Sequence, residues 1–172
     1  MELDESYFSH IPLLAAVVAK WSAGPVLELG AGLGSTLMLH GLCGALNRKL
    51  VTLDSDEAWL NKFTNLSRSW HQLKLVNSFH DLAEYKENWG VAFVDHGISE
   101  QRGQSVLHLQ DTTDIIVCHD TCHYFLYGYE PTLTSFKYRW NYKPHGIGFD
   151  SPMTSVVSRT VDVAALFSEF GL

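Results

Sequence analysis

The sequence predicts a three-layer α/β/α fold in which helices cover both faces of a mostly parallel, seven-stranded sheet. Short apolar runs alternate with helical patterns through residues 9–121, which is typical of parallel strands joined by crossover helices. Four of the apolar runs carry an acidic residue at or just beyond their end. Two β-rich runs after residue 134 predict a C-terminal antiparallel hairpin that closes the sheet.

The first predicted helix spans residues 9–21, because its apolar residues recur at positions i, i+3, i+4 and i+7. A Gly-Pro pair ends it, and a short apolar strand follows over residues 25–29. The next helix is expected to open near Ser35 and Thr36, since both residues are good N-caps. It ends at a turn near residue 47.

Strands and helices continue to alternate along the chain, with strands predicted over residues 50–54, 73–76, 91–94 and 114–118. Ser55 is expected to cap one helix that runs to Trp70, because large apolar residues keep helical spacing along it. A short helix through Leu82 and Tyr85 and a helix over residues 99–109 complete the alternation. Strands over residues 135–142 and 153–161 form the closing hairpin, and residues 1–172 are expected to form one domain.

The chain has 172 residues, a formal net charge of −7, 46% hydrophobic residues and 18% charged residues. This balance predicts a packed globular core. Proteins that grip a long nucleic acid normally present a basic face, so the acidic charge argues against a nucleic-acid partner. No apolar run approaches the length that crosses a bilayer, so no membrane partner is expected.

Three cysteines, Cys43, Cys118 and Cys122, are odd in number and show no disulfide pattern, so a reducing, cytoplasmic location is expected. The one basic stretch, over residues 137–143, alternates with aromatic residues. It could stack nucleic-acid bases. A solvated aromatic hairpin explains the same pattern, and this interpretation is preferred.

Acidic side chains mark the ends of four predicted strands, at Glu28, Asp54, Asp95 and Asp120. In open parallel sheets, ligands bind beyond the carboxyl ends of the strands, near the point where the strand order switches. Since these ends lie on one edge of the sheet, the four acids are expected to gather there and to mark the site.

The loop after the first strand carries glycines at positions 30, 32 and 34, two residues beyond Glu28. A dinucleotide fold instead places its glycines at G-x-G-x-x-G spacing around a pyrophosphate. A carboxylate at Glu28 would repel a pyrophosphate and attract the cationic amino group of a methionine moiety. Asp54 ends the next strand, where it can accept hydrogen bonds from two ribose hydroxyls. A plain strand-to-helix turn and a helix-entry acid are the alternative interpretations of the two features.

Residues 26–34, Val-Leu-Glu-Leu-Gly-Ala-Gly-Leu-Gly, resemble motif I of the class I S-adenosylmethionine (SAM) dependent methyltransferases. Residues 50–54, 91–96 and 115–121 resemble that family's second, fourth and fifth strands. The resemblance implies a Rossmann-like fold, SAM as the cofactor and methyl transfer as the activity. The cofactor-binding residues that we expect from it and from the loop are Glu28, Gly30, Ala31, Gly32, Gly34, Ser35, Asp54, Ser55, Ser78, Phe79 and Asp95.

A narrower resemblance is to the metal-dependent, catechol-type O-methyltransferases. Asp95-His96 is similar to the Asp-His pair after their fourth strand, and Asp120-Thr121 stands where they have an Asp-Asn pair. Asp95 and Asp120 could therefore hold Mg²⁺, which would position and acidify an acceptor hydroxyl. Thr121 in place of the amide ligand, and Ile98 in place of the family's lysine, depart from that pattern.

Histidines offer a mechanism without a metal. Methyl transfer is an in-line displacement, so the protein must align the acceptor and remove its proton. His96 beside Asp95, or His119 beside Asp120, could act as the general base near neutral pH. A purely structural role for His96 is the alternative. Zinc is not expected at His119 and its cysteine and histidine neighbours, because no second ligand pair follows.

The acceptor is expected to be a small molecule that receives the methyl group on oxygen. No inserted lid is evident, so short loops, the N-terminal helix or a second subunit of a homodimer must complete the pocket. Two other functions stay open. One is a SAM-binding protein without catalysis, such as a sensor or interaction module, and the other is an NAD-dependent oxidoreductase, which the glycine spacing disfavours.

Overall fold

The computed structural model describes residues 8–21, 23–123, 125–144 and 152–168. Seven strands form one sheet in the order β3-β2-β1-β4-β5-β7-β6. The strands are β1 Val26–Leu29, β2 Leu50–Asp54, β3 His71–Leu75, β4 Trp89–Val94, β5 Thr113–Cys118, β6 Tyr138–Tyr142 and β7 Thr154–Ser158. Strands β1 to β5 are parallel, while β7 is antiparallel to both β5 and β6, which confirms the predicted mostly parallel sheet with its closing hairpin.

Helices cover both faces of this sheet. They are α1 Ile11–Lys20, α2 Ser35–Ala45, α3 Glu57–Leu60, α4 Arg102–Leu109 and α5 Val163–Ser168, with 3₁₀ turns at Asn61–Leu66, Ala83–Lys86, Ser99–Gln101 and Thr132–Ser135. The final helix, α5, was not predicted. Within the described part of the chain, no helix has the length and apolar character needed to span a membrane.

Alternate residues of the central strands enter two separate apolar cores. Leu27 and Leu29 of β1 join the core beneath α4, whereas Val26 packs on the other face with α1, α2 and α5. Side chains alternate along a strand, so Glu28 lies on the α2 face with Val26. Its register partners there are Thr52 of β2 and Phe93 of β4. The register therefore places a carboxylate at the centre of the sheet, beneath α2.

The predicted long helix after β2 is wrong. Asp56, not Ser55, caps α3, since the Asp56 carboxylate accepts a hydrogen bond from the Trp59 backbone N–H at 3.0 Å. The helix tightens into a 3₁₀ turn at Asn61 and ends at Leu66. Side chains that bond local backbone groups favour this outcome, as when the Thr64 hydroxyl donates to the Asn61 carbonyl.

Arg48 fastens the end of α1 to the start of β1. Its guanidinium donates to the carbonyl oxygens of Val18, Trp21, Ala23 and Gly24 at 2.7–3.0 Å. Arg48 is 6% exposed, so these charge-assisted bonds are largely shielded from water. They satisfy carbonyls that the end of α1 and the following turn would otherwise leave without partners.

We predict that Arg48→Met lowers the free energy of unfolding by roughly 3 kcal/mol, because several buried carbonyls lose their donor. The control is Arg68→Met, since Arg68 bonds only carbonyls in an exposed turn. That change should stay within about 0.5 kcal/mol. Urea unfolding followed by circular dichroism measures both, and equal effects would contradict the proposed clamp.

Candidate active site

Three of the four predicted acids, Asp54, Asp95 and Asp120, lie at the carboxyl ends of β2, β4 and β5, whereas Glu28 lies within β1. The Asp95 N–H donates to the Leu29 carbonyl at 2.9 Å, which joins the end of β4 to the end of β1. The Gly30 N–H donates to the Leu53 carbonyl at 2.8 Å, which joins β1 to β2. The ends of these three strands therefore form one continuous backbone junction.

Gly30 is required at this junction for two reasons. Its φ of +99° is a conformation that L side chains rarely adopt. A Cβ at this position would also lie 2.5 Å from the Cα of His96 and 2.6 Å from the carbonyl oxygen of Asp95. The glycine thus lets the loop after β1 pack directly on the backbone that follows β4.

The carboxylate of Glu28 anchors the glycine loop from below. It is fully buried, and its Oε2 accepts hydrogen bonds from the hydroxyls of Thr36 at 3.0 Å and Thr52 at 2.7 Å. The Thr36 hydroxyl in turn accepts a hydrogen bond from the Gly32 N–H at 2.8 Å. Thr36 therefore ties the loop to Glu28 instead of capping α2, and Gly34 is the N-cap residue without any side-chain cap, contrary to prediction.

A line of polar groups continues from Glu28 toward the surface. Thr52 Oγ1 lies 3.0 Å from His71 Nε2, and His71 Nδ1 lies 3.0 Å from His40 Nδ1. Because Thr52 gives its only proton to Glu28, His71 must donate from Nε2 and accept from His40. Burial lowers the pKa of His71 to about 4, so this ring is neutral at pH 7. Every donor in the line points toward the carboxylate.

The carboxylate of Asp54 holds the outer side of the same loop. Its Oδ2 accepts the Ala31 N–H at 2.7 Å, and its Oδ1 accepts the Asp56 N–H at 2.8 Å. The Ala31 carbonyl accepts the indole N–H of Trp59 at 2.7 Å, which fixes α3 against the loop. Each carboxylate oxygen keeps a second lone pair for another donor.

Asp95 and Asp120 share one cationic partner, Arg102 from the start of α4. Nη2 of Arg102 lies 2.9 Å from Asp95 Oδ1, and its Nη1 lies 3.1 Å from Asp120 Oδ2. Nε of Arg102 donates to the carbonyl of His96 at 2.8 Å, which fixes the guanidinium between the two acids. The predicted Mg²⁺ site at Asp95 and Asp120 is therefore corrected, because the guanidinium supplies the positive charge that bridges them.

His96, predicted as a general base, lies in a buried position that disfavours this role. The ring is fully buried, and it stacks on Phe79 with the ring centroids 3.8 Å apart. Its Nε2 lies 3.0 Å from the Ser105 hydroxyl. Burial lowers the pKa of His96 to about 3, so the ring remains neutral. The alternative of a structural role for His96 fits these contacts.

His119 lies at the end of β5, beside a histidine that sequence reasoning passed over, His10. The two rings meet edge to face with centroids 4.4 Å apart, and His10 also stacks on Phe93. Both histidines are buried, and desolvation lowers the pKa of each to about 4. By contrast, burial raises the pKa of Asp95 to about 6, against the opposing pull of Arg102.

Ser78 and Phe79, predicted near the adenine, lie after β3 and are held by Gln101. The Gln101 side-chain oxygen accepts the Phe79 N–H at 3.0 Å and the Ser78 hydroxyl at 3.3 Å. The Phe79 side chain is fully buried in the core with His96. Its ring is therefore closed off, while Ser78 is partly exposed at the sheet edge.

One cleft in the described part of the chain lies away from this edge. A cleft of about 340 Å³ lies at the opposite edge of the sheet, between the turn at Gly24 and the chain near Asp114 and Arg159. Of the aromatic side chains after β5, Phe125 is 88% exposed, and Tyr127 lies over the guanidinium of Arg102 at 4.4 Å. The candidate site is therefore defined here by its hydrogen bonds and charges.

Three groups in the site were missed from the sequence, namely the two threonines on Glu28, the bridging guanidinium of Arg102, and His10. In the sequence, Arg102 is only one residue near the start of the helix predicted over residues 99–109. A hydroxyl at Thr52, in the middle of an apolar strand and opposite Glu28 in register, was the one available signal. His10 precedes α1 and gives no sequence signal, because only packing brings it to the strand ends.

No protein-family model matches the chain, and neither does any curated protein. Solved structures share its fold. An rRNA methylase from Streptococcus thermophilus is 16% identical, with a TM-score of 0.60 over 92% of this chain and 98% of that chain. The N-methyltransferase NodS from Bradyrhizobium japonicum is 15% identical, with a TM-score of 0.65 over 90% and 98%. A spermidine synthase is 13% identical, with a TM-score of 0.65 over 96% of this chain and 63% of that chain. The predicted Rossmann-like fold of the SAM-dependent methyltransferases is confirmed.

We predict that the stability of the chain depends on the protonation of Glu28. Burial raises the pKa of Glu28 from 4.5 to about 7, so folding favours the protonated acid. This contribution is complete below pH 4.5 and is lost as the pH rises through 7. Relative to Glu28→Gln, the wild-type free energy of unfolding should fall by roughly 3 kcal/mol between pH 4.5 and 8.

Urea unfolding of both proteins across that pH range measures the difference. The variant keeps the size and an acceptor oxygen for the two threonines, and every other titrating group cancels in the subtraction. A difference that stays constant with pH would show that the buried acid has an ordinary pKa.

Proposed function

We propose that this chain transfers a methyl group from SAM to a small-molecule acceptor, with oxygen as the accepting atom. One observation carries the proposal. The glycine loop after β1 is held between two carboxylates, Glu28 and Asp54, at the edge where β4 also ends in an acid. The fold around that loop extends over at least 90% of this chain in the rRNA methylase and NodS comparisons.

The loop and Asp54 fit the nucleoside half of SAM. The backbone from Gly30 to Gly34 offers close approach, and Asp54 keeps lone pairs that two ribose hydroxyls can use. Ser55 after β2 and Ser78 after β3 are partly exposed and are proposed to contact the nucleoside, whereas Ser35 is buried and would support the loop from within. NodS has been solved with S-adenosyl-L-homocysteine (SAH), which supports a ligand of this class.

We assign Glu28 to positioning the loop and to the charge of the methionine end. The nearby Ser35 hydroxyl opposes the rise in the pKa of Glu28, but no hydrogen bond of ordinary geometry from the described residues reaches the buried Oε1. A buried oxygen without a donor favours a cationic group nearby. Contact with an amino group would need the loop to shift, because no part of Glu28 is exposed.

Asp95 is the residue that we propose to meet the acceptor. It directly follows β4, and its side chain is 22% exposed, whereas His96 beside it is closed off. Bound SAM supplies an electrophilic methyl group on a sulfonium. Asp95 can then hold the acceptor hydroxyl in line and take its proton as the S–CH₃ bond breaks and SAH leaves, and Arg102 fixes the carboxylate in place.

A SAM-binding protein without catalysis is the second candidate. The observation that favours it is the arrangement around Arg102, which neutralises part of the charge of both Asp95 and Asp120. His96 and His119, the two histidines predicted as bases, are buried with lowered pKa values. A sensor would need only the part of the site that binds SAM.

The acceptor side and the surroundings of the protein remain proposals. A second subunit in a homodimer would complete the acceptor pocket beside Asp95. A small organic acceptor is preferred to nucleic acid on the acidic net charge of −7. A cytoplasmic location follows from the cysteine usage.

Ligand binding tests the proposal. We expect SAM and SAH to bind the metal-free chain in calorimetry and to raise its melting temperature, while NAD does neither. Asp54→Ala should weaken SAM binding by about 10- to 100-fold, since it removes acceptors for two hydroxyls. Asp111→Ala is the control, because Asp111 is an exposed acid at the opposite edge of the sheet.

Several results would contradict the proposal. Stabilisation by NAD alone would favour an oxidoreductase, and unchanged SAM affinity in Asp54→Ala would remove the ribose assignment. Binding of both sulfur nucleotides without methyl transfer to any of a panel of hydroxyl and amine acceptors would favour the non-catalytic protein. The panel should be run with and without EDTA, so that a metal requirement is recognised.

A further inference from the structure

Three potential metal ligands from three separate elements meet at the strand ends. His10 precedes α1, Asp95 follows β4 and His119 follows β5. One ligand atom from each, an imidazole nitrogen or a carboxylate oxygen, lies within 4.8 Å of the others. The junction of α1 with the sheet thus gathers two imidazoles and one carboxylate.

His10 is the unusual member of this cluster. It is 4% exposed, and neither Nδ1 nor Nε2 has a hydrogen-bond partner among the described residues. Phe93 supports the ring on one side and His119 meets it on another. Buried polar atoms in native proteins are nearly always paired, so two unpaired nitrogens on one ring indicate a ligand.

Contacts with neighbouring side chains already orient the other two members, His119 and Asp95. His119 Nδ1 lies 3.1 Å from the Thr154 hydroxyl, which holds the ring, and Nε2 lies 3.4 Å from Asp120 Oδ1, a contact that a bound ion would replace. Arg102 pairs with Oδ1 of Asp95, and no hydrogen bond from the described residues uses the Oδ2 of Asp95. Metal-ligating histidines and carboxylates are typically held by such outer contacts.

We propose that His10, Asp95 and His119 bind one divalent transition-metal ion of the zinc type. Two imidazoles and a carboxylate suit such borderline ions, whereas Mg²⁺ and Ca²⁺ prefer oxygen ligands alone. Tetrahedral zinc places its ligands about 3.3 Å apart, so ligand atoms that lie within 4.8 Å of one another need to approach by about 1.5 Å at most. A fourth position stays open for water or a ligand oxygen.

The site differs from the predicted Mg²⁺ site in its ligands and in its position. Asp120 is not part of it, and its carboxylate stays with Arg102. The proposal rests on this ligand geometry alone and does not depend on methyl transfer. If both hold, the open metal position would face the acceptor side of Asp95.

The test uses the full chain after dialysis against a chelator. We expect equilibrium dialysis with Zn²⁺ to give one tightly bound ion per chain, and Co²⁺ to give the visible d–d absorption of a low-coordinate nitrogen and oxygen site. Tenfold changes in Mg²⁺ concentration should not displace either ion.

Single substitutions of the proposed ligands test where the ion binds. His10→Phe keeps an aromatic ring against Phe93 and removes both nitrogens, and His119→Phe removes the second imidazole. Each should weaken Zn²⁺ binding by at least about 100-fold, since losing an outer contact alone costs 10- to 100-fold. His108→Phe is the matched control, because His108 is an exposed histidine on α4 that also packs on an aromatic ring. It should bind Zn²⁺ like the wild type.

Failure is recognisable even if a variant does not fold. His10→Phe loses only unpaired nitrogens, so its melting temperature without metal should equal or exceed that of the wild type. Zn²⁺ should raise the melting temperature of the wild type and of His108→Phe only. No stoichiometric binding to the wild type, displacement by Mg²⁺, or equal binding by His10→Phe would overturn the proposal. SAM binding, measured separately in EDTA, reports on the proposed function independently.

Discussion

The buried carboxylate of Glu28 is the constraint on which the candidate site depends. A charge at the centre of an apolar sheet is costly unless hydrogen bonds surround it. Two threonines, Thr36 from α2 and Thr52 from β2, supply those bonds, and both are thereby fixed in place. Thr36 then holds the Gly32 N–H, so the loop conformation follows from satisfying one acid. Burying a carboxylate in the core lowers the free energy of unfolding, but it also fixes the glycine loop in one conformation.

At the edge beyond β4 and β5, a cation stabilises the acidic side chains, whereas hydroxyl groups stabilise Glu28. Asp95 and Asp120 would repel each other at the end of neighbouring strands, and Arg102 relieves this by bonding both. The guanidinium is itself buried and is held by the carbonyl of His96, so the pair of acids is a fixed structure and not a solvated patch. This side of the site therefore carries a net negative charge with little freedom to rearrange, next to two neutral histidines.

Sequence patterns were sufficient where a residue's role follows from its place on a strand. The order of elements, the closing hairpin and the need for glycine at position 30 all depend on periodicity or on a tight turn. They failed where packing between distant elements decides the outcome. His96 looks like a base because it follows an acid, but the ring stacks on Phe79, whose position after β3 no local pattern shows. The cluster around His10 depends on how α1 packs against the sheet. The helix after β2 was predicted to be too long, because side-chain hydrogen bonds to the backbone compete with those of a helix.

Gly30 lets the loop after β1 and the segment after β4 pack directly against each other. The missing Cβ lets the donor loop lie directly against the backbone of Asp95 and His96, and the Asp95 N–H is bonded to Leu29 just before that glycine. A shift of the loop, which any direct ligand contact with Glu28 requires, must therefore move the start of the Asp95-His96 segment. Asp95 is the residue that both proposals use, on the acceptor side and in the metal cluster. A ligand that shifts the loop would therefore also move that carboxylate through these backbone contacts.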